Sequence, residues 1–113
     1  PQDVALLDVG KALTMFEKAG VPVLGMVQNM AYWQCPGCGR KDHIFGEGGA
    51  AREAKKRGIE LLGEISLSTA VRSGSDSGTP IVVAQPQSEQ ANEYRKIANR
   101  LMEVADLRKE DSV

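Results

Sequence analysis

Aromatic residues are scarce in this chain of 113: one Trp, two Tyr and two Phe. Any core must therefore rest on Val, Ile, Leu, Met and Ala. No run approaches the roughly 20 consecutive apolar residues that a bilayer span requires, which sets membrane insertion aside. A surplus of one charge is missing as well, since 14 Lys plus Arg face 15 Asp plus Glu for a net charge of −1. Nucleic acid and anionic lipid therefore find no electrostatic footprint. The only two cysteines, Cys35 and Cys38, lie three positions apart and cannot staple a secreted disulfide framework. Pro1-Gln2-Asp3-Val4 has neither a basic n-region with an apolar run nor an Arg-rich presequence, and the absent initiator Met points to residues removed or never included. The phosphate loop G-x-x-x-x-G-K-[ST] is missing too. Before Gly10-Lys11, Ala5 stands where the first Gly belongs, and Ala12 replaces the hydroxyl residue that would hold Mg²⁺.

What is present, 42% hydrophobic and 26% charged residues, describes one ordinary globular unit. Pro1 to Gly20 reads as a helix with Ala5, Val9, Ala12, Leu13 and Phe16 on one face, and Gly10 there either weakens it by roughly 1 kcal/mol relative to Ala or allows close approach of a neighbour. Pro22 to Val27 is a short apolar run ended by Gln28-Asn29, the pattern of a buried parallel strand. Gly49 to Arg57 is a short polar helix closed by Gly58, and Ile59 to Ile65 is a second strand. Ser68 to Ser77 is helical or irregular, and Ile81 to Ala84 is a strand candidate crowded by Pro80 and Pro86. Ser88 caps a last helix with Tyr94, Ile97, Ala98, Leu101 and Ala105 on one face, and the tail Arg108–Val113 is expected to fray. Such alternation predicts an α/β fold with parallel strands flanked by helices. Two or three strands, apolar on both faces, do not bury themselves, so the chain is expected to be part of a larger sheet.

Periodicity is lost from Met30 to Gly49, where Trp33, Cys35, Pro36, Gly37, Cys38, Gly39 and His43 crowd together. A structured loop of this length in a small chain is commonly functional. Cys35-Pro36-Gly37-Cys38-Gly39 has the turn chemistry of a metal knuckle, in which two thiolates reach one centre while amides point at the sulfurs. Zinc and iron-sulfur centres take four ligands, and this chain offers two thiolates and one candidate imidazole, His43. Two copies sharing a site across a two-fold axis satisfy that count. Zinc held by Cys35, Cys38, His43 and an outside ligand competes with it, as do a redox dithiol, which needs the first Cys at a helix N-terminus, and two plain free thiols. Asn29 reads as a turn former after a strand, and Gly46-Glu47-Gly48-Gly49 as a turn before a helix.

The stretch Val21-Pro22-Val23-Leu24-Gly25-Met26-Val27-Gln28-Asn29-Met30, the CPGCG knuckle and His43-Ile44-Phe45-Gly46-Glu47-Gly48-Gly49 together resemble the C-terminal half of Mrp/ApbC-type P-loop ATPases. These are iron-sulfur cluster carriers of the deviant-Walker-A class that also holds MinD and the nitrogenase iron protein. Pro1-Gln2-Asp3-Val4-Ala5-Leu6, Leu62-Gly63-Glu64-Ile65 and Gly78-Thr79-Pro80-Ile81-Val82 extend the match in order over nearly the whole chain. Gln28 and Gln85-Pro86-Gln87-Ser88 look closest to the mitochondrial nucleotide-binding-protein-like branch, which assists cluster insertion into respiratory complex I. The resemblance implies a P-loop NTPase fold spanning 1–113 as its C-terminal portion, with 30–49 as the metal-binding loop. It implies that Cys35 and Cys38 bind a [4Fe-4S] cluster bridging a homodimer and passed to apo-protein clients. It implies that Asn29 reads the adenine of ATP. The phosphate loop, the catalytic lysine and the magnesium-associated aspartates of that family would lie upstream of Pro1, so no catalytic residue is assigned here and ATP and Mg²⁺ are expected only with the intact protein. Ser66 departs from the family's usual proline in the loop lining the base. The mitochondrial matrix is the implied compartment, with the cytoplasm as the other choice. A zinc-stabilised interaction module without nucleotide chemistry is the competing function, and a degenerate ATPase remnant a third.

Overall fold

The computed structural model describes residues 2–111, and side chains from 4 to 106; Pro1, Ser112 and Val113 lie outside it, so neither Pro1 as a first helical turn nor the end of the expected frayed tail can be placed. Helix α1 (Gln2–Lys18) is followed by strand β1 (Met26–Gln28), a hairpin of β2 (Trp33–Gln34) and β3 (Lys41–Asp42), and helix α2 (Gly49–Arg57). Strand β4 (Leu61–Glu64) then leads to helices α3 (Thr69–Ser77), α4 (Ile81–Ala84) and α5 (Glu89–Asp111). The capping chemistry explains several of these bounds. Gly58 ends α2 at φ 69°, its N–H donating to the carbonyls of Ala54 and Lys55. Ser68 and Ser88 accept at their hydroxyls from the N–H of Val71 and Ala91, as N-caps do.

β1 and β4 pair in parallel, with Met26 opposite Leu61, Val27 opposite Gly63 and Gln28 opposite Glu64. The pairing runs on past the strands: Ile65 N–H donates to Gln28 O at 2.8 Å, Ala31 N–H to Ile65 O at 2.9 Å and Leu67 N–H to Tyr32 O at 2.7 Å. This extension sets residues 29–32 beside residues 65–67, and so fixes the ground on which the site is built. The run Pro22–Val27 narrows to Met26–Gln28, and just before it Gly25 is packed so tightly that a Cβ would stand 2.6 Å from Leu62 Cγ and 2.8 Å from Glu60 O.

Two expectations are corrected. Ile81–Ala84 is a helix, not a strand: Pro80 O accepts from the N–H of both Val83 and Ala84, and the short turn drops Ile81 into the interior. The N–H groups of Val83 and Ala84 are spent on Pro80 O and that of Gln85 on Ile81 O, so they are not offered to a ladder. The tail also stays helical as far as Asp111 instead of fraying from Arg108.

α5 lies on β4 at a glycine. A Cβ at Gly63 would stand 2.5 Å from Ile97 Cγ1, so only hydrogen fits between strand and helix. Arg100 Nε adds an ion pair at 2.6 Å to Glu60 Oε1, exposed and worth little by itself. Gly63→Val is accordingly expected to destabilise the fold by about 1–3 kcal/mol through overpacking, and Ile97→Ala in the same chain to recover part of it. Urea unfolding of the single and double variants measures both. On the other side, α1 meets α2 where Gly10 is buried under the Arg57 guanidinium, 2.6 Å from a hypothetical Cβ.

The buried apolar residues are Ala31, Tyr32, Ala50, Ala54, Ile65, Ile81 and Ala91, mostly small. Accessible surface is 8000 Å², against roughly 6,000 Å² for a compact chain of this mass. The radius of gyration is 15.7 Å, where about 13 Å is usual. Val4, Leu7 and Met15 of α1, with Val27 of β1 and Met30 in the turn after it, keep their side chains exposed. No helix among the described residues is long and apolar enough to cross a membrane.

Candidate functional site

The segment read as a loop from Met30 to Gly49 folds around a two-stranded antiparallel hairpin, Trp33 opposite Asp42 and Gln34 opposite Lys41. Cys35 opens its turn. The Cys35 N–H donates to Arg40 O at 2.9 Å, and the Gly39 N–H to Cys35 O at 2.8 Å. Gly39 adopts φ 76°, the left-handed conformation that lets so tight a turn close. Backbone N–H groups of Cys38 and then Gly37, followed by the Cys38 thiol, donate to Cys35 sulfur and hold its pKa below the ordinary 9.0. A lowered thiol pKa favours the thiolate, the form that ligates metal. Cys38 is exposed and Cys35 half-buried. The Trp33, Ile44 and Phe45 side chains of this segment are exposed too.

His43 is not brought to the sulfurs. Its ring lies beside Tyr32, centroids 6.0 Å apart and tilted by 50°. Among the described residues no group of three or more His, Cys, Asp and Glu gathers to hold a metal ion. The single-chain arrangement of zinc on Cys35, Cys38 and His43 is therefore not assembled. A thioredoxin-type dithiol fails on local structure, because Cys35 begins a hairpin turn and not a helix.

Asn29 stands at the end of β1. Its side-chain oxygen accepts from Met30 N–H at 2.9 Å, the local turn that its residue type predicts, and Met30 takes φ 52°. An amide oxygen has a second lone pair and its NH₂ two donors, so this turn leaves capacity for a ligand. The same residue lines a hollow of about 470 Å³ with Met30, Ser66, Leu67, Ser68, Thr69 and Tyr94. Leu67, Val71 and Tyr94 give the hollow apolar walls, while Asn29, Ser66 and Ser68 supply directional polar groups. Its volume lies within the range of small-molecule sites, and Arg72 adds a cationic group to its wall. The hollow exists because parallel pairing carries Asn29 to the loop that follows β4.

Sequence reasoning missed Glu93. Its carboxylate, projecting from α5, accepts from Tyr32 OH at 2.5 Å through one oxygen and from Ser66 N–H at 3.0 Å and Ser66 Oγ at 3.1 Å through the other. Tyr32 and Ser66 are 7% and 4% exposed, so these donors have no easy recourse to water. Burial first, then the hydrogen bond to Glu93 and the charges of Glu93, Glu89 and Glu64, push the Tyr32 phenol above its ordinary 10.0. Lys41 Nζ sits 4.7 Å above the same ring. Nothing in a linear pattern pairs residue 32 with residue 93; a lone Glu on a polar helix carries no such mark.

A family model described as the NUBPL iron-transfer P-loop NTPase of the ParA group matches residues 1–102. The chain is 47% identical over 107 residues to the iron-sulfur cluster transfer protein NUBPL of Dictyostelium discoideum, covering 95% of this chain and 33% of that protein. It is 45% identical over 102 residues to an Arabidopsis thaliana iron-sulfur protein required for NADH dehydrogenase, mitochondrial, covering 90% and 33%. Among solved structures, the nucleotide-binding protein of Archaeoglobus fulgidus in complex with ADP superposes at a TM-score of 0.60 with 40% identity, over 73% of this chain and 32% of that one. The cell division ATPase MinD of Pyrococcus furiosus superposes at 0.66 with 28% identity, over 88% and 38%. The chain thus spans about one third of the length of the relatives it matches.

Proposed function

Because the chain belongs to the NUBPL iron-transfer P-loop NTPases of the ParA group, we propose that it is the C-terminal portion of an iron-sulfur cluster carrier. Cys35 and Cys38 hold the cargo, and two copies of the hairpin share one [4Fe-4S] cluster. The observation that carries this reading is the knuckle itself: two sulfurs on one turn, backbone amides aimed at Cys35, and no third ligand beside them among the described residues. Two such pairs make the four thiolates that a cluster takes. The exposed Trp33, Ile44 and Phe45 suit the contact between copies.

The chain's residues divide the work by chemistry. The hairpin presents the cysteines at the surface, where a client's thiolates reach the cargo and exchange for them. In the hollow, Asn29 reads the edge of adenine with its free amide capacity, and Leu67, Val71 and Tyr94 exclude water from the base. The bound nucleotide's phosphates and Mg²⁺ would be handled by residues that this chain lacks. The Arabidopsis relative's printed requirement for NADH dehydrogenase supports respiratory complex I as the client and the mitochondrial matrix as the compartment.

Anaerobic reconstitution with iron and sulfide tests the cargo. The expected product is a dimer with about two irons per chain and a broad absorption band at about 400 nm. One tightly held zinc per monomer, or no metal at all, overturns it. The base site is tested separately by calorimetry with adenosine, where Asn29→Ala is expected to weaken binding about tenfold. Unchanged affinity removes Asn29 from that role.

A further inference from the structure

Glu93 joins two places that the proposed function keeps apart. One carboxylate oxygen accepts from Tyr32 OH, and the other accepts from both the N–H and the hydroxyl of Ser66. Gln90, one turn earlier on α5, also reaches Ser66 Oγ at 3.5 Å. Tyr32 immediately precedes β2, and its ring carries Lys41 and His43 from the return side of the hairpin. Ser66 is part of the wall of the hollow beside Asn29. The two ends of this bridge are thus the base of the cysteine hairpin and the lining of the base site.

We propose that Glu93 is a positioning residue which, through Tyr32 and Ser66, makes the cysteine hairpin respond to what occupies the hollow beside Asn29. A carboxylate is planar and rigid, so a displacement of Ser66 at one oxygen is felt at Tyr32 through the other. Burial strengthens the response, since neither donor can exchange its partner for water without cost. Packed contacts that switch between two arrangements convert small shifts at one site into a change at another. Adenosine is the simplest probe with which to fill the hollow under that reading. The inference rests on the reading of the hollow as a base site and of the hairpin as the cargo site, and its test separates the two.

The first arm needs no ligand. Ser66→Ala removes a donor at the hollow, and it is expected to speed hydrogen exchange of the Cys35 and Gly39 amides in the hairpin about fivefold. In a Tyr32→Phe background the same change is expected to leave those amides unaffected, a dependence that mere loss of stability does not produce. Equal acceleration in both backgrounds, or none in either, overturns the link. The second arm uses Trp33, the only tryptophan, as a reporter beside Tyr32. Adenosine binding is expected to shift Trp33 emission in the unaltered chain but not in Tyr32→Phe, at concentrations that saturate both. Binding without an emission shift in the unaltered chain overturns the link. If adenosine binds to neither protein, the base reading falls and the exchange cycle decides the link alone.

Discussion

Replacing Cys35 with Ser is expected to abolish cluster loading, taking iron from about two per chain to background and removing the band at about 400 nm, with loss of the loaded dimer. The size of the effect follows from ligand chemistry. A serine hydroxyl does not ionise near neutrality and is a harder donor than a thiolate, so a dimer of the variant offers two soft ligands where four are required. Cys35 is also the sulfur on which the amides of Cys38 and Gly37 converge, so its replacement removes the thiolate that the turn is built to stabilise. Cys38→Ser is expected to fail in the same way by the ligand count. His43→Ala is the control: its ring belongs to the packing around Tyr32, and iron content should be unchanged. Full iron in Cys35→Ser, or its loss in His43→Ala, would reverse the assignment. Iron analysis and absorption under anaerobic conditions read out all three variants.

Glu93→Ala is expected to cost about 2–5 kcal/mol of folding stability, a large part of the roughly 5–15 kcal/mol that domains possess. The loss comes from stranding two buried donors, Tyr32 OH and Ser66 N–H, each of which costs about 1–3 kcal/mol unpaired. Alkaline pH attacks the same bridge from its other end. Burial and the neighbouring carboxylates raise the pKa of Tyr32 in the folded chain above the 10.0 of an ordinary phenol. The folded state therefore holds the phenol proton more tightly than the unfolded one. The stability this supplies is complete below pH 10 and is lost as the pH rises through the folded value. Urea midpoints measured upward from about pH 9 are expected to fall in the unaltered chain above about pH 10, and to fall less in Tyr32→Phe. A Glu93→Ala chain as stable as the original would show that the bridge is incidental.

Several elements were legible because their signals are local. Gly58 closes α2 and Ser88 caps α5 as their residue types dictate. The knuckle, too, was readable from Pro-Gly between two cysteines and a glycine after them. The hairpin that carries it was not, since β2 and β3 have two residues each and leave no alternation to detect. Ile81–Ala84 misled because a short apolar run looks alike in a strand and in a buried helical turn. Pro80 tipped the choice by offering its carbonyl to two successive N–H groups.

The sequence alone therefore determined the α/β order and the pair of thiols on one tight turn, each written in adjacent residues through spacing, turn chemistry and composition. Tertiary structure decided the rest. Parallel pairing brought Asn29 to Ser66 across 37 positions of chain. Packing of α5 over Gly63 accompanied the delivery of Glu93 between Tyr32 and Ser66, and His43 was set beside the Tyr32 ring. These are long-range contacts whose partners are chosen by how helices and strands stack, and no local pattern encodes them.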